Sequence, residues 1–211
     1  MPHGMVFPAS PGSTGAARQG TAPVLSRLKN ETRPQHEAIE NALDLMSEGL
    51  TTEGYRYRLE RLYGFYRPVE QRIFNLDGWP ATLDLQARCK TPLLEADLRA
   101  LGIASPSELP LCQDLPDLRD LPRAFGCLYV MEGATLGGQF ITRHIRRVLG
   151  IEAQNGGRFF QSYGDAVGAR WKGFRAALGA YASPANEDEV VRGAAETFEK
   201  LHRWYTGEGR E

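Results

Sequence analysis

The stretch from Leu128 to Leu149 constrains this chain most. Residues that suit a buried helix face return at helical spacing, at Leu128, Met131, Thr135, Ile141, Ile145 and Leu149, with no proline among them. Yet its centre, MEGATLGGQFITRH, carries Gly133, Gly137 and Gly138. Each interior glycine lowers helix stability by about 1 kcal/mol relative to alanine, so the segment forgoes roughly 3 kcal/mol locally. Gly133 and Gly137 stand four residues apart and share a face, where a second surface can approach the main chain. Two surfaces fit that face: another helix packed close, or a flat group that needs a wall without side chains. Glu132, Arg143, Arg146 and Arg147 rule out a membrane span. With no strand before the glycines and no Lys-Ser/Thr pair after them, a phosphate loop is also excluded.

The rest of the chain reads as helix too. Plotted at about 100° per residue, Leu25, Leu28, Thr32, His36, Ile39, Leu43 and Met46 fall on one arc. Pro34 either kinks this helix or sits in the first turn of one that begins near Thr32. Thr51 and Thr52 are candidate caps for a second helix with a stripe at Tyr55, Leu59, Leu62, Tyr66, Val69 and Ile73. A third is expected from about Leu83 to Leu101. Pro106, Pro110 and Pro116 mark a connector, and Asp120 with Pro122 opens the glycine-bearing helix, which the pattern makes the longest. After Gly156 and Gly157 come two more helices, Gly164 to Tyr181 and Glu187 to Tyr205. Nothing alternates at period two. The expectation is an all-α, single-domain bundle of about six to eight helices.

Size and charge narrow the functions open to such a bundle. A chain of 211 residues, 42% hydrophobic, is long enough for one well-buried core and too short to require two. Its 25 Lys+Arg against 26 Asp+Glu give no global field for nucleic acid or an acidic membrane, so any anion site is local. Cys89, Cys112 and Cys127 form no metal-binding spacing and read as reduced, structural thiols. Residues 1–23, rich in Pro, Gly, Ser and Ala, read as a disordered tail without a signal peptide, residues 24–206 as the domain, and 207–211 as a C-terminal tail. No stretch approaches the roughly 20 apolar residues that cross a bilayer, so a soluble, cytoplasmic protein is expected.

His36 lies on the inward arc of the first stripe, with Glu40 one turn later on the same side. A lone histidine there is ordinarily a core residue with satisfied ring nitrogens. As a haem ligand it would supply one axial nitrogen and leave the opposite position open for oxygen, while Glu40 accepts the other ring proton and fixes the tautomer.

At these residues the chain resembles the haem oxygenases. LKNETRPQHEAIEN, Leu28 to Asn41, is similar to their proximal helix, and MEGATLGGQ to their distal helix. The pairing of the two motifs, in this order and about a hundred residues apart, is more specific than either alone. The likeness extends from about Leu25 to Tyr205, nearest the bacterial biliverdin-producing enzymes, including those associated with bacteriophytochromes.

The resemblance implies a haem oxygenase-like bundle with haem between a proximal and a glycine-kinked distal helix. It makes His36 the axial iron ligand and Glu40 its hydrogen-bonding neighbour, and it sets Gly133 and Gly137, with Gly138 beside them, along the distal side. Lys29 and Lys172 match propionate contacts, Arg175 lies near the second of these, and Phe198 matches an aromatic haem contact. Haem is then both cofactor and substrate, opened with oxygen and reductant to biliverdin, the alpha isomer expected, carbon monoxide and iron. An external electron donor is implied, a ferredoxin or flavoprotein reductase, with delivery of the bilin to a bacteriophytochrome as one destination. One position departs from the pattern of many animal members: Ala134 stands where they carry an aspartate that holds water, which leaves the proton route to other groups, with Thr135 and Gln139 as candidates by proximity.

Three other readings stay open on sequence alone. One is a non-catalytic haem- or bilin-binding protein of the same fold. Another is a dinuclear-metal oxidase, which needs a second partner for the single Glu-x-x-His pair, Glu199 and His202. The last is a helical interaction domain with no prosthetic group.

Overall fold

Pro34 settles how the N-terminal stripe folds. In the computed structural model, which describes residues 23–208, α1 spans Pro23–Glu31 and α2 spans Arg33–Leu43, with Pro34 in the first turn of α2. Proline is tolerated there because the first turn has no use for its missing N–H. Thr32 lies at the break and donates its hydroxyl to the Leu28 carbonyl at 2.7 Å. The tail reading for residues 1–22 falls outside the described residues, as does that for 209–211.

The longest helix is α3, Thr52–Phe74, opened by Thr51 Oγ1, which accepts a hydrogen bond from Gly54 N at 3.0 Å. The next segment differs from the sequence reading. Instead of one helix from Leu83 to Leu101 there is a short 3-10 turn, Gln86–Arg88, and then α4, Thr91–Ala100. Pro92 forces this, since it belongs in a first turn. The Glu70 carboxylate from α3 caps the new start, accepting from Lys90 N at 2.6 Å and Thr91 N at 3.0 Å.

The glycine-bearing segment is likewise not one long helix. It is α5, Leu121–Gly133, then a 3-10 turn, Ala134–Gly137, called the glycine turn below, then α6, Gly138–Leu149. Asp120 opens α5 by accepting from Arg123 N at 3.1 Å, and Gly150, at φ 68°, closes α6 in the left-handed region that glycine adopts without strain. The break follows from the composition: weak helix formers cluster where the ladder changes from i+4 to i+3 bonding.

A helix absent from the sequence reading, α7, Arg158–Gln161, starts where the Asp97 carboxylate accepts from Arg158 N and Phe159 N at 2.9 and 2.8 Å. Then come α8, Val167–Tyr181, and α9, Glu187–Thr206. Nine α-helices therefore stand among the described residues, more than expected, because both proline and glycine divide what periodicity joins.

The α5–α9 pair forms the centre, and α1 and α2 pack on α9 while α8 packs on α5 and α1. Backbone meets backbone at the central seam. A Cβ at Gly126 would lie 2.0 Å from the Val190 carbonyl oxygen, and one at Gly193 would lie 2.3 Å from that of Arg123. Cys127, Val190 and Ala194 are fully buried along the same pair of helices, while Phe125 stacks on Tyr181 of α8. No helix among the described residues is long and apolar enough to cross a membrane.

Candidate functional site

His36 is carried by α2 against α9, its ring edge-on to Phe198 at 5.5 Å between centroids. Its Nε2 is 3.5 Å from Glu40 Oε1, the approach that an i, i+4 pair on one helix permits. The His36 side chain is 35% exposed, unlike Leu28 and Ile39 on the same arc, which are buried. Burial lowers the ring pKa from its ordinary 6.5, with the Glu37 charge opposing, and raises that of the Glu40 carboxyl. Both shifts favour a neutral imidazole, the form that ligates metal.

Gly133 ends α5 in helical geometry, and a Cβ built there would have a single neighbour within 4 Å beyond its own helix, Trp171 Cη2 at 4.0 Å. Packing on the protein does not explain this glycine. Gly138 differs: its Cβ would meet the Phe160 carbonyl oxygen at 2.1 Å, so its bare side serves contact with α7 and not an open wall, a correction to the grouping of the three glycines. Gly137 is buried in the glycine turn. Thr135 is buried beside it and donates its hydroxyl to the Glu132 carbonyl at 2.7 Å, so that group is engaged within the turn. Gln139 is exposed, and so is Ala134.

The basic candidates come from two helices that touch. Lys29 is exposed in the last turn of α1, and Lys172 and Arg175 are exposed on α8. Arg175 acts on Tyr129 of α5, whose hydroxyl pKa burial raises and that cation lowers. The structure thus joins His36, Glu40 and Phe198 on the α2–α9 side, and Gly133, Lys172 and Arg175 on the α5–α8 side. The two groups are related through α9, on which both α2 and α5 pack.

Sequence reasoning passed over Trp171, although it adjoins Lys172. It lies 5.6 Å from the rings of both Tyr129 and Phe174, stacked on the latter, and borders the opening at Gly133. It also missed a buried ionic cluster around Glu132, formed by Arg88, Lys90 and Tyr163. No local signal marks that cluster, because its members are 31 to 44 residues from Glu132. Two surface concavities, of about 340 and 350 Å³, lie elsewhere, lined by residues such as Leu93 and Arg158 or Arg72 and Leu111.

α2, which bears His36, and α5, which ends at Gly133, both pack on α9, in an all-helical architecture. Comparison with known proteins gives the family and the fold. The family pattern described as heme oxygenase matches residues 22–206. A heme oxygenase from Xanthomonas campestris pv. campestris is 31% identical over 153 residues, 71% of this chain and 84% of that protein. The NO- and CO-bound heme oxygenase from Neisseria meningitidis superposes with a TM-score of 0.73 at 25% identity, over 89% of this chain and 94% of that one. The heme oxygenase from the cyanobacterium Synechocystis, in complex with heme, has the same fold, with a TM-score of 0.71 at 16% identity over 88% and 92%. This chain belongs to the haem oxygenase family of enzymes.

Proposed function

We propose that the protein binds haem with His36 as axial ligand and Gly133 and Gly137 on the opposite side, and opens it with oxygen and reductant to biliverdin, carbon monoxide and iron. The observation that carries this is the open space at Gly133: of the glycines on α5 and α6, it alone among those near a neighbour projects towards room and not towards packed backbone. A flat group would use that room. The partly exposed, neutral ring of His36 fits the same group, and the exposed Lys29, Lys172 and Arg175 fit its carboxylates.

When bound, haem supplies the redox iron and the ring that is cleaved. The chain supplies position. Glu40, 3.5 Å from His36 Nε2, and Phe198, edge-on to the ring, would limit how the imidazole turns when it holds the metal. Bare backbone at Gly133 would leave room for a small ligand beside the bound group. With Ala134 apolar and the Thr135 hydroxyl engaged on the Glu132 carbonyl, proton delivery falls to other polar groups or to main chain. Lys172 and Arg175 fix which ring edge faces the glycine turn, and we expect the alpha isomer. An external donor, a ferredoxin or flavoprotein reductase, supplies electrons, and a bacteriophytochrome is a fitting recipient of the bilin.

Optical titration with haemin followed by reductant in air tests the reading. A haem band that converts to a bilin spectrum is the expected result, and a stable haem band would leave a binding protein only. His36→Ala should abolish native axial ligation, and an unaltered haem spectrum in that variant would reject the assignment. Among the described residues no group of three or more His, Cys, Asp or Glu is poised to hold a metal ion, so the dinuclear alternative gains no support from the structure.

A further inference from the structure

Glu132, the residue before Gly133, is 1% exposed and carries a charge into the core. Its carboxylate accepts from three side chains: Arg88 Nη1, Tyr163 Oη at 2.6 Å and Lys90 Nζ at 3.3 Å. Arg88 and Lys90 are 5% and 2% exposed. Two cations thus share the Glu132 carboxylate, with the buried Glu70 carboxylate beside Lys90, which also donates to the Arg88 carbonyl at 2.8 Å and to Tyr163 Oη at 2.5 Å. Such a cluster is poor as a source of stability, since removing the ions from water offsets most of their attraction. Arg88 Nε is in addition buried with no hydrogen-bond partner. Its placement suggests another purpose.

The cluster ties together two elements that border the candidate haem site, the end of α5 and the start of α8. Glu132 belongs to the end of α5, and its own carbonyl receives the Thr135 hydroxyl, so the residue grips the glycine turn through main chain while its side chain grips the cluster. Arg88 also donates through Nη2 to the Arg170 carbonyl of α8 at 3.3 Å, next to Trp171, and its guanidinium lies 6.0 Å from the Phe174 ring. Tyr163 stands just before the turn that leads into α8. The segment bearing Arg88 and Lys90 is itself pinned from behind by Glu70 of α3, which accepts from Lys90 N and Thr91 N. A chain of contacts therefore runs from α3, through residues 88–91, to the end of α5 and the start of α8.

We propose that Glu132, clamped by Arg88, Lys90 and Tyr163, is a positioning residue that fixes the glycine turn relative to α8, and so sets the height of the bare backbone at Gly133 above a bound haem. The idea rests on the functional reading above for its second half only. The clamp itself is a property of the protein without ligand. Because the ions hold direction as well as distance, a neutral isostere at Glu132 would remove the carboxylate that Arg88 and Lys90 share, leaving Glu70 as the buried charge that still acts on Lys90, and let the turn shift or sample several positions.

The test compares Glu132→Gln with the full-length protein, using Gly126→Ala as a control that loosens the α5–α9 seam instead. In ligand-free protein, amide exchange at residues 133–138 should rise about tenfold over that of the rest of α5 in Glu132→Gln, whereas the control should raise exchange along α5 and α9 together without that local excess. With haem reduced under carbon monoxide, the C–O stretching band should shift or broaden in Glu132→Gln, while haem affinity changes by less than about threefold. The control should keep the wild-type band despite its lower stability. Tyr163→Phe removes one donor and should move both readouts in the same direction by less, which keeps the test in force if Glu132→Gln does not fold. Unchanged exchange in both variants overturns the clamp. Faster exchange with an unaltered carbonyl band overturns its reach to the site. A wild-type protein that takes up no haem overturns the functional reading and that reach, while the exchange result still decides the clamp.

Discussion

Gly126 and Gly133 stand seven residues apart on α5, two turns and about 10 Å along the axis, so both project from nearly the same face. They lack side chains for opposite reasons. At Gly126 the α9 backbone is so close that a Cβ would sit 2.0 Å from a carbonyl oxygen; at Gly133 the nearest atom across the gap is one tip of Trp171, at 4.0 Å. The same helix face is sealed at one end and open at the other. A glycine in a helix therefore signals a close approach without telling what approaches, and here one helix gives both answers: another main chain, and room for something flat.

The sharpest way to break this contrast is at the sealed end. Gly126→Ala forces a methyl into backbone that cannot swing aside, and it should lower unfolding free energy by about 3 kcal/mol, read by chemical denaturation. A loss below about 1 kcal/mol would mean that the seam is looser than it stands here. Gly138→Ala should behave like the seam and not like Gly133, since the Phe160 carbonyl is 2.1 Å from its Cβ position, with an expected loss of about 2 kcal/mol.

At the open end the sign reverses. Gly133→Ala meets only ordinary van der Waals contact and gains helix propensity, so the ligand-free protein should become more stable by about 1 kcal/mol or slightly less. Turnover should fall at the same time, and further in Gly133→Leu, whose longer side chain occupies the space assigned to oxygen. Higher stability with undiminished bilin formation in both variants would separate the opening from the chemistry.

The smallest effect concerns the ring on α2. Burial holds the His36 pKa below 6.5, so the imidazole is neutral at pH 7 and remains so somewhat below its ordinary value. The unfolded chain then takes up the proton first as pH falls, so this group's contribution to stability is present above pH 6.5 and is lost on acidification towards the lower folded value. Haem affinity should be flat between about pH 8 and 6.5 and decline below that, a decline that His36→Ala should not show. The partial exposure of the ring keeps the stability effect small.

Much of this was legible in the residues themselves. The helical periodicities place nearly every stripe that ends up buried, from Leu28 and Ile39 to Tyr55, Leu59, Val69 and Ile73. His36 and Glu40 are a local pair, so the spacing of one helix brings them together. Boundaries fared worse where one pattern ran through a break: Pro34, Pro92 and the glycine turn each divide a stripe whose phase alone cannot reveal the division. Trp171 and the Glu132 cluster were illegible for a different reason. Their partners come from other helices, and Arg88 and Lys90 are ordinary surface residues by composition until α3 and α5 close over them.

The amino-acid order by itself determined most of the helical segments, which face of each is apolar, and that a histidine and a carboxylate share one turn, because these depend on contacts within a few residues, whereas α7 needed the distant Asp97 to start it. Tertiary structure alone decided which glycine is pressed against main chain and which looks into space, and which buried ions find each other. Helical phase gives the direction a position faces, and what stands opposite depends on how distant helices dock, here on α9 lying against α5 at Gly126 and leaving it at Gly133.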